Sequence, residues 1–252
     1  MLARVFIQGI RNLRDVSCDG LSDQNILFGA NGSGKTSFLE ALHILGTAKS
    51  FRAGSTKNLI SYDQPQFLVR GELTGRTSGT RHSVAVQRNL AGELVMRRQG
   101  DTLRSAAALA DSLPILVINA HSFELLNGEP DNRRRFLDWG LFHVEHSHRA
   151  SRRSFQRALS QRNQLLRRGN ISSIELESWT HDFASHGEAV ALARQQFLDR
   201  LAKPFSNLID ALVPELRDVS LNYRQGWAGQ TSLQEALNNS ADADVEREGL
   251  LT

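Results

Sequence analysis

Gly29-Ala30-Asn31-Gly32-Ser33-Gly34-Lys35-Thr36 decides the reading of this chain. It fits Gly-x-x-x-x-Gly-Lys-[Ser/Thr], the phosphate-binding P-loop, and each residue type has a mechanical reason. The glycines let the backbone curl so that successive N–H groups turn inward onto phosphate oxygens. Lys35 supplies a point charge for β- and γ-phosphates, and the Thr36 hydroxyl is a ligand for the Mg²⁺ that bridges them. Upstream, Asn25-Ile26-Leu27-Phe28 is a short apolar run that predicts a buried parallel strand. Downstream, Phe38, Ala41, Leu42 and Leu45 fall on one helical face, with Gly46 as the expected stop. The predicted order is strand, glycine loop, helix N-terminus, and that helix end is itself an anion site. Four fixed positions arise by accident in about one chain of this length in a hundred. The flanking strand and helix make accident rarer still.

The 252 residues suffice for one large domain or two small ones, and 40% hydrophobic content is ordinary for a globular chain. No apolar run approaches the roughly eighteen residues of a membrane span, and the N-terminus lacks the layout of a signal peptide. The single cysteine, Cys18, cannot form an internal disulfide and is expected as a small buried apolar residue. These features predict a reduced, cytoplasmic setting. Net charge is +3, and of the 30 basic residues all but Lys35, Lys49, Lys57 and Lys203 are arginine. Either genomic base composition or selection for bidentate phosphate contact explains that bias.

Strands are predicted for Leu2 to Ile7, for an alternating run that ends at Leu21, and for Gln66 to Leu73, His82 to Arg88 and Glu93 to Arg97. The last three form an antiparallel patch with glycine turns. Thr102 to Ser112 reads as a short helix and Pro114 to Ile118 as another buried strand. From Pro130 to Phe205 the signal is helical, punctuated by Gly169-Asn170 and Gly187. Leu216 to Tyr223 is a possible returning strand, and Leu233 to Leu251 is expected to be helical. The predicted domains are 1–119 and 120–252.

Between Arg133 and Arg168 stand ten arginines and two acids, Asp138 and Glu145. Arg149, Arg153 and Arg157 recur at i, i+4 and i+8, and Arg168 lies about three turns further on that face. Phe155, Leu159 and Leu166 occupy another side, suited to packing. Such a basic stripe fits sequence-independent contact with DNA phosphates. The competing reading is a solvated face whose partners are Glu175, Glu177, Asp182 and Glu188. Arg133-Arg134-Arg135 splay through roughly 200 degrees on one helix, so they cannot all meet one phosphate, and they read as braces. His143, His146 and His148 invite a metal reading, but a zinc site wants further placed ligands, so surface charge explains them better.

Several stretches together resemble the RecF family of ABC-type ATPases, which are related to SMC heads. They are Arg11-Asn12 after the opening strand, Gly29 to Ala41, Lys49-Ser50-Phe51-Arg52, Gln161-Arg162-Asn163 and Arg224-Gln225-Gly226-Trp227. The most specific is Leu125 to Trp139, which contains Arg133-Arg134-Arg135-Phe136-Leu137-Asp138. The resemblance implies an α/β fold: an ABC/SMC-type P-loop ATPase head, mixed sheet plus antiparallel patch, with a helical arm. It also implies ATP and Mg²⁺ as cofactors and a nucleotide-dependent homodimer. DNA is the implied partner, at single strands and single-strand–duplex junctions, in repair and the SOS response. RecO and RecR are the implied protein partners in loading recombinase at gaps. The chain departs from the family at Ile10 (usually Phe), at Ala120-His121 (usually Pro-Glu) and at Glu129. It also lacks the ABC signature and the Asp-rich second nucleotide motif; Asp242 and Asp244 follow no apolar strand. The expectation is a chain that stops before the head's sheet resumes, with weakened nucleotide binding and hydrolysis close to absent. The alternatives are a DNA- or protein-binding fragment indifferent to nucleotide and, less suited to the arginine-rich arm, a small-molecule P-loop kinase.

Overall fold

The structure, a computed structural model, describes residues 1–75, 79–168, 173–216 and 219–246. The chain forms two compact units, Met1–Ser122 and Phe123–Thr252.

The first unit is built on six strands: β1 (Leu2–Ile10), β2 (Leu13–Asp19), β3 (Gln66–Thr74), β4 (Arg81–Asn89), β5 (Leu94–Arg98) and β6 (Asp101–Thr102). They lie in the order β2-β1-β3-β4-β5-β6, every pair antiparallel. The period-2 alternation of a half-buried sheet is clear in β1, β3 and β4, where Val5, Ile7, Phe67, Val69, Leu73, Val84 and Val86 face the core. Helices α1 (Lys35–Thr47) and α2 (Ala106–Ser112) cover that face, and α1 seats Phe38, Ala41, Ile44 and Leu45 on it. Each fully buried Val, Ile, Leu or Phe among them contributes about 1.5–3 kcal/mol, and the Ala41 methyl less.

Four expectations fail here. Asn25–Phe28 is not a buried strand: it pairs with nothing among the described residues, and Ile26 and Phe28 are 87% and 90% exposed. The parallel neighbours that would bury it are absent from the described sheet. Pro114–Ile118 likewise forms no strand, and Ile118 is 82% exposed. Gly46 does not stop α1. It lies inside the helix, where a Cβ would come within 2.6 Å of the Leu113 carbonyl, and the helix ends instead at Ala48 in the left-handed region (φ 56°). Cys18 is half-buried on β2 and packs against the core rather than within it.

The second unit is helical: α3 (Glu124–Asn127), α4 (Pro130–Val144), α5 (His146–Arg168), α6 (Ser173–Leu212), α7 (Leu233–Asn239) and α8 (Ala241–Glu246). Its core joins Ala158, Phe183, Ala184, Leu233 and Leu237, with Phe155, Leu159, Trp179 and Trp227 packed around them. Gly169-Asn170 lies outside the described residues. Gly187 does not punctuate; it lies within α6, where a Cβ would meet Leu233 and Phe155 at 2.6 and 3.2 Å. The described part of Leu216–Tyr223 contains no strand. Ser232 and Glu235 form a capping box that starts α7.

Candidate functional site

The phosphate-binding motif is a largely exposed loop whose last two residues, Lys35 and Thr36, open α1. Gly29, Gly32 and Gly34 have φ of 149°, 79° and 101°, values that only glycine adopts without strain. At Gly34 a Cβ would also come within 2.6 Å of Leu13 and 3.1 Å of the Asn12 amide nitrogen, so no side chain fits there. The chain closes into helix at once, with the Phe38 amide donating to the Gly34 carbonyl at 2.8 Å. The first N–H groups of α1 have no intrahelical acceptor. The Lys35 ammonium donates to the carbonyls of Gly29 (2.9 Å) and Ala30 (2.8 Å), so it lies within the turn of its own loop. Ala30, Asn31, Ser33 and Thr36 are exposed. This donor set fits a triphosphate: positive-φ glycines, a helix N-terminus, a cation within the loop and an accessible hydroxyl beside it. Among the described residues no cluster of His, Cys, Asp or Glu could hold a metal alone. The exposed Thr36 hydroxyl is the group of this loop that would ligate Mg²⁺ held by the phosphates.

A polar network, exposed at Asn12 and buried at Ser37 and Glu40, supports the loop. Asn12, in the turn between β1 and β2, donates to the Gly32 carbonyl at 2.9 Å and accepts from the Ser37 hydroxyl at 3.1 Å. Next to it the Arg11 guanidinium donates to both carboxylate oxygens of Glu40, at 2.7 and 3.3 Å. Glu40 is fully buried and accepts a further bond from Ser50. Burial opposes its ionisation, but the bonds from Arg11 and Ser50 outweigh burial and hold the carboxyl below the usual range. Ser50 in turn accepts from the backbone amides of Arg52 (2.9 Å) and Ala53 (2.8 Å), which fixes the basic loop Lys49–Arg52 after α1.

In the sequence, Arg11-Asn12 stands out only through the family resemblance, and Glu40 has no distinguishing motif of its own. One signal was available. Glu40 sits among Ser37, Phe38, Ala41 and Ile44 on the apolar face of α1, where an unpaired carboxylate would be costly.

In the second unit the arginines divide. Arg153, Arg157 and Arg168 are exposed along α5, and Arg157 lies 5.8 Å over the Trp179 ring. Arg149 turns back: its Nε and Nη2 donate to the Phe142 carbonyl at 3.0 and 2.8 Å, and it stacks 3.9 Å over the Phe142 ring. Arg162 is buried, bonded to Asp244 (2.8 Å) and Thr180 (3.1 Å). Arg133 braces the turn before α4 through the carbonyls of Leu125 and Gly128, at 3.3 and 3.0 Å, while Arg134 and Arg135 both pair with Asp131. Of the acids expected to face the stripe, Glu188 instead accepts from the Leu233 amide at 2.7 Å.

The strongest charged cluster surrounds Asp138. It accepts from Arg152 Nε (2.7 Å) and from Arg194 Nε and Nη2 (2.8 and 2.9 Å), and His148 Nε2 lies 3.6 Å away. His148 is thus a buried neighbour of a carboxylate rather than a surface charge. His143 packs edge-on to Trp139 and Phe142, and the His146 side chain lies outside the described residues.

Fold and loop together define part of a P-loop head of the SMC kind: residues 1–113 match the model of the RecF/RecN/SMC N terminal domain. The chain is 41% identical over 245 residues to the DNA replication and repair protein RecF of Azotobacter vinelandii, covering 97% of this chain and 67% of that protein. It is 40% identical over 245 residues to RecF of Pseudomonas syringae pv. syringae and spans 66% of that protein's length. The chain belongs to the RecF family. A solved structure of the recombination mediator protein RecF-ATP in the RecFOR pathway superposes with a TM-score of 0.84 at 20% identity, covering all of this chain and 70% of the other. A second, RecF-ATPrS, gives 0.82 at 20% identity. No described helix is long and apolar enough to cross a membrane.

Proposed function

We propose that this chain binds ATP with Mg²⁺ at Gly29–Thr36 and contacts DNA through the arginines of α5, in cytoplasmic recombinational repair of the RecF type. In this reading it acts with RecO and RecR at single-strand gaps, and ATP promotes a homodimer. The observation that carries the nucleotide half is the loop itself, with three glycines at positive φ, Lys35 folded into it and a helix N-terminus behind. The DNA half rests on Arg153, Arg157 and Arg168, which are exposed on the helix predicted to contact phosphate, with Arg149 at its start. The sequence carries no recognition-helix or zinc-finger pattern, so contact is expected to be independent of base sequence.

The test is DNA binding by fluorescence anisotropy, with and without Mg-ATP, for the wild type and Lys35→Ala. Tighter binding with ATP, abolished by Lys35→Ala, is the expected result; absence of any nucleotide effect would sink the coupled reading. A second reading is favoured by the exposure of Ile26 and Phe28, which leaves the approach to the loop without sheet support. In that reading α5 contacts DNA alone, and binding ignores both ATP and Lys35→Ala.

A further inference from the structure

We infer that Asn12 is a positioning residue for the phosphate-binding loop, held in place by Arg11 and Glu40; the inference rests on the nucleotide reading of that loop. Arg11 has φ of 53°, in the left-handed region, at the first position of a two-residue turn where glycine would be free of cost. A non-glycine residue persists there only if its surroundings over-determine it. Here they do. The Arg11 amide donates to the Leu59 carbonyl at 2.7 Å, its carbonyl accepts from the Ser61 hydroxyl at 2.6 Å, and its guanidinium grips buried Glu40 with two bonds. Glycine would relieve the backbone but lose the grip on Glu40.

That grip fixes where Asn12 points. The Asn12 amide has one orientation that satisfies both neighbours, since the Gly32 carbonyl can only accept and must therefore meet the NH₂ group. The other end then receives the Ser37 hydroxyl. Asn12 thus ties the middle glycine of the loop to the first turn of α1, across twenty residues of sequence. Gly32 is at positive φ, where the backbone is free to rotate unless something external holds its carbonyl. With that carbonyl bonded to Asn12, the neighbouring N–H groups of the loop are held in one curl. Leu13, pressed against Gly34, closes the same turn from below. The strand hairpin is therefore the template on which the loop takes its anion-binding shape before any ligand arrives, which lowers the ordering cost of binding.

The experiment is amide hydrogen exchange resolved over residues 29–36, without nucleotide, for the full chain as wild type, Asn12→Ala and Ser37→Ala. It is paired with affinities for Mg-ATP and for adenosine. Asn12→Ala is expected to speed exchange at Ser33, whose amide closes the loop onto the Ala30 carbonyl at 3.3 Å, while β1, β3 and β4 stay protected. It should also weaken Mg-ATP about tenfold, the loss of one to two hydrogen bonds, and leave adenosine affinity unchanged. Ser37→Ala should do the same to a smaller degree, and it decides the matter if Asn12→Ala does not fold. Unchanged exchange in the loop, or faster exchange across the whole sheet, would overturn the inference, the second outcome marking a merely structural residue. If the wild type binds no Mg-ATP, the nucleotide reading fails, while the nucleotide-free exchange comparison still decides whether Asn12 shapes the loop.

Discussion

Asp138→Ala should unfold the helical unit far more readily than any surface change. The Asp138 carboxylate is 8% exposed and faces Arg194 at 13%, Arg152 at 36% and His148 at 1%. Truncation takes the carboxylate from Arg194, most of whose side chain is buried, whereas Arg152 can swing outward. Hydrogen bonds to charged groups are worth about 1.5–3 kcal/mol each, and breaking one side of a buried pair costs about 3–5 kcal/mol. With Arg152 discounted for its exposure, the net expectation is about 3–4 kcal/mol, a large share of the roughly 5–15 kcal/mol that stabilises a domain. All three tryptophans, Trp139, Trp179 and Trp227, belong to the second unit, so their fluorescence in urea follows that unit alone. At a slope of about 2 kcal/mol per molar urea, the midpoint should fall by about 2 M. A fall under about 0.5 M would refute the view that the cluster holds α4, α5 and α6 together.

The same cluster fixes a pH dependence. Burial works against ionisation of Asp138, but the contact with His148 and the bonds from Arg194 and Arg152 win, so its carboxyl titrates well below the usual range. The folded value lies below the unfolded one of about 3.9. Its stabilisation is therefore whole above about pH 5 and is lost as pH falls below about 4 toward the folded value. Asp138→Asn should flatten the wild type's loss of stability in that acid window.

Two further outcomes follow from exposure. Arg153→Glu with Arg157→Glu should weaken DNA binding and lower the slope of log affinity against log salt by about one per lost phosphate contact, measured by anisotropy from low to moderate salt; an unchanged slope would remove α5 from the interface. Ile26→Ser with Phe28→Ser should reduce self-association in sedimentation velocity and reduce binding of an apolar dye, because these side chains are 87% and 90% exposed; wild type that stays monomeric and dye-silent at high concentration would count against this.

What was legible in the sequence was local. A glycine at positive φ, a lysine one residue into a helix, an alternating strand and an arginine at i+4 each declare themselves over a few residues, because backbone sterics and helical or pleated periodicity act at that range. The loop Gly29–Thr36, the strands β1, β3, β4 and β5 and the helical second half follow from those rules. What only the tertiary structure decided involves partners far apart in sequence. Asn12 meets Gly32, Arg11 meets Glu40, and Asp138 meets Arg194, at separations of 20, 29 and 56 residues. The phase of α5 predicted an arginine face, yet whether a given arginine faces water or a carboxylate depends on which helix lies opposite. Arg152 and Arg162 are drawn inward for that reason, while Arg153 and Arg157 are not. Asn25–Phe28 and Pro114–Ile118 failed for the complementary reason. An apolar run becomes a buried strand only when another strand supplies its hydrogen bonds and another layer its cover, and neither requirement is written in the run itself.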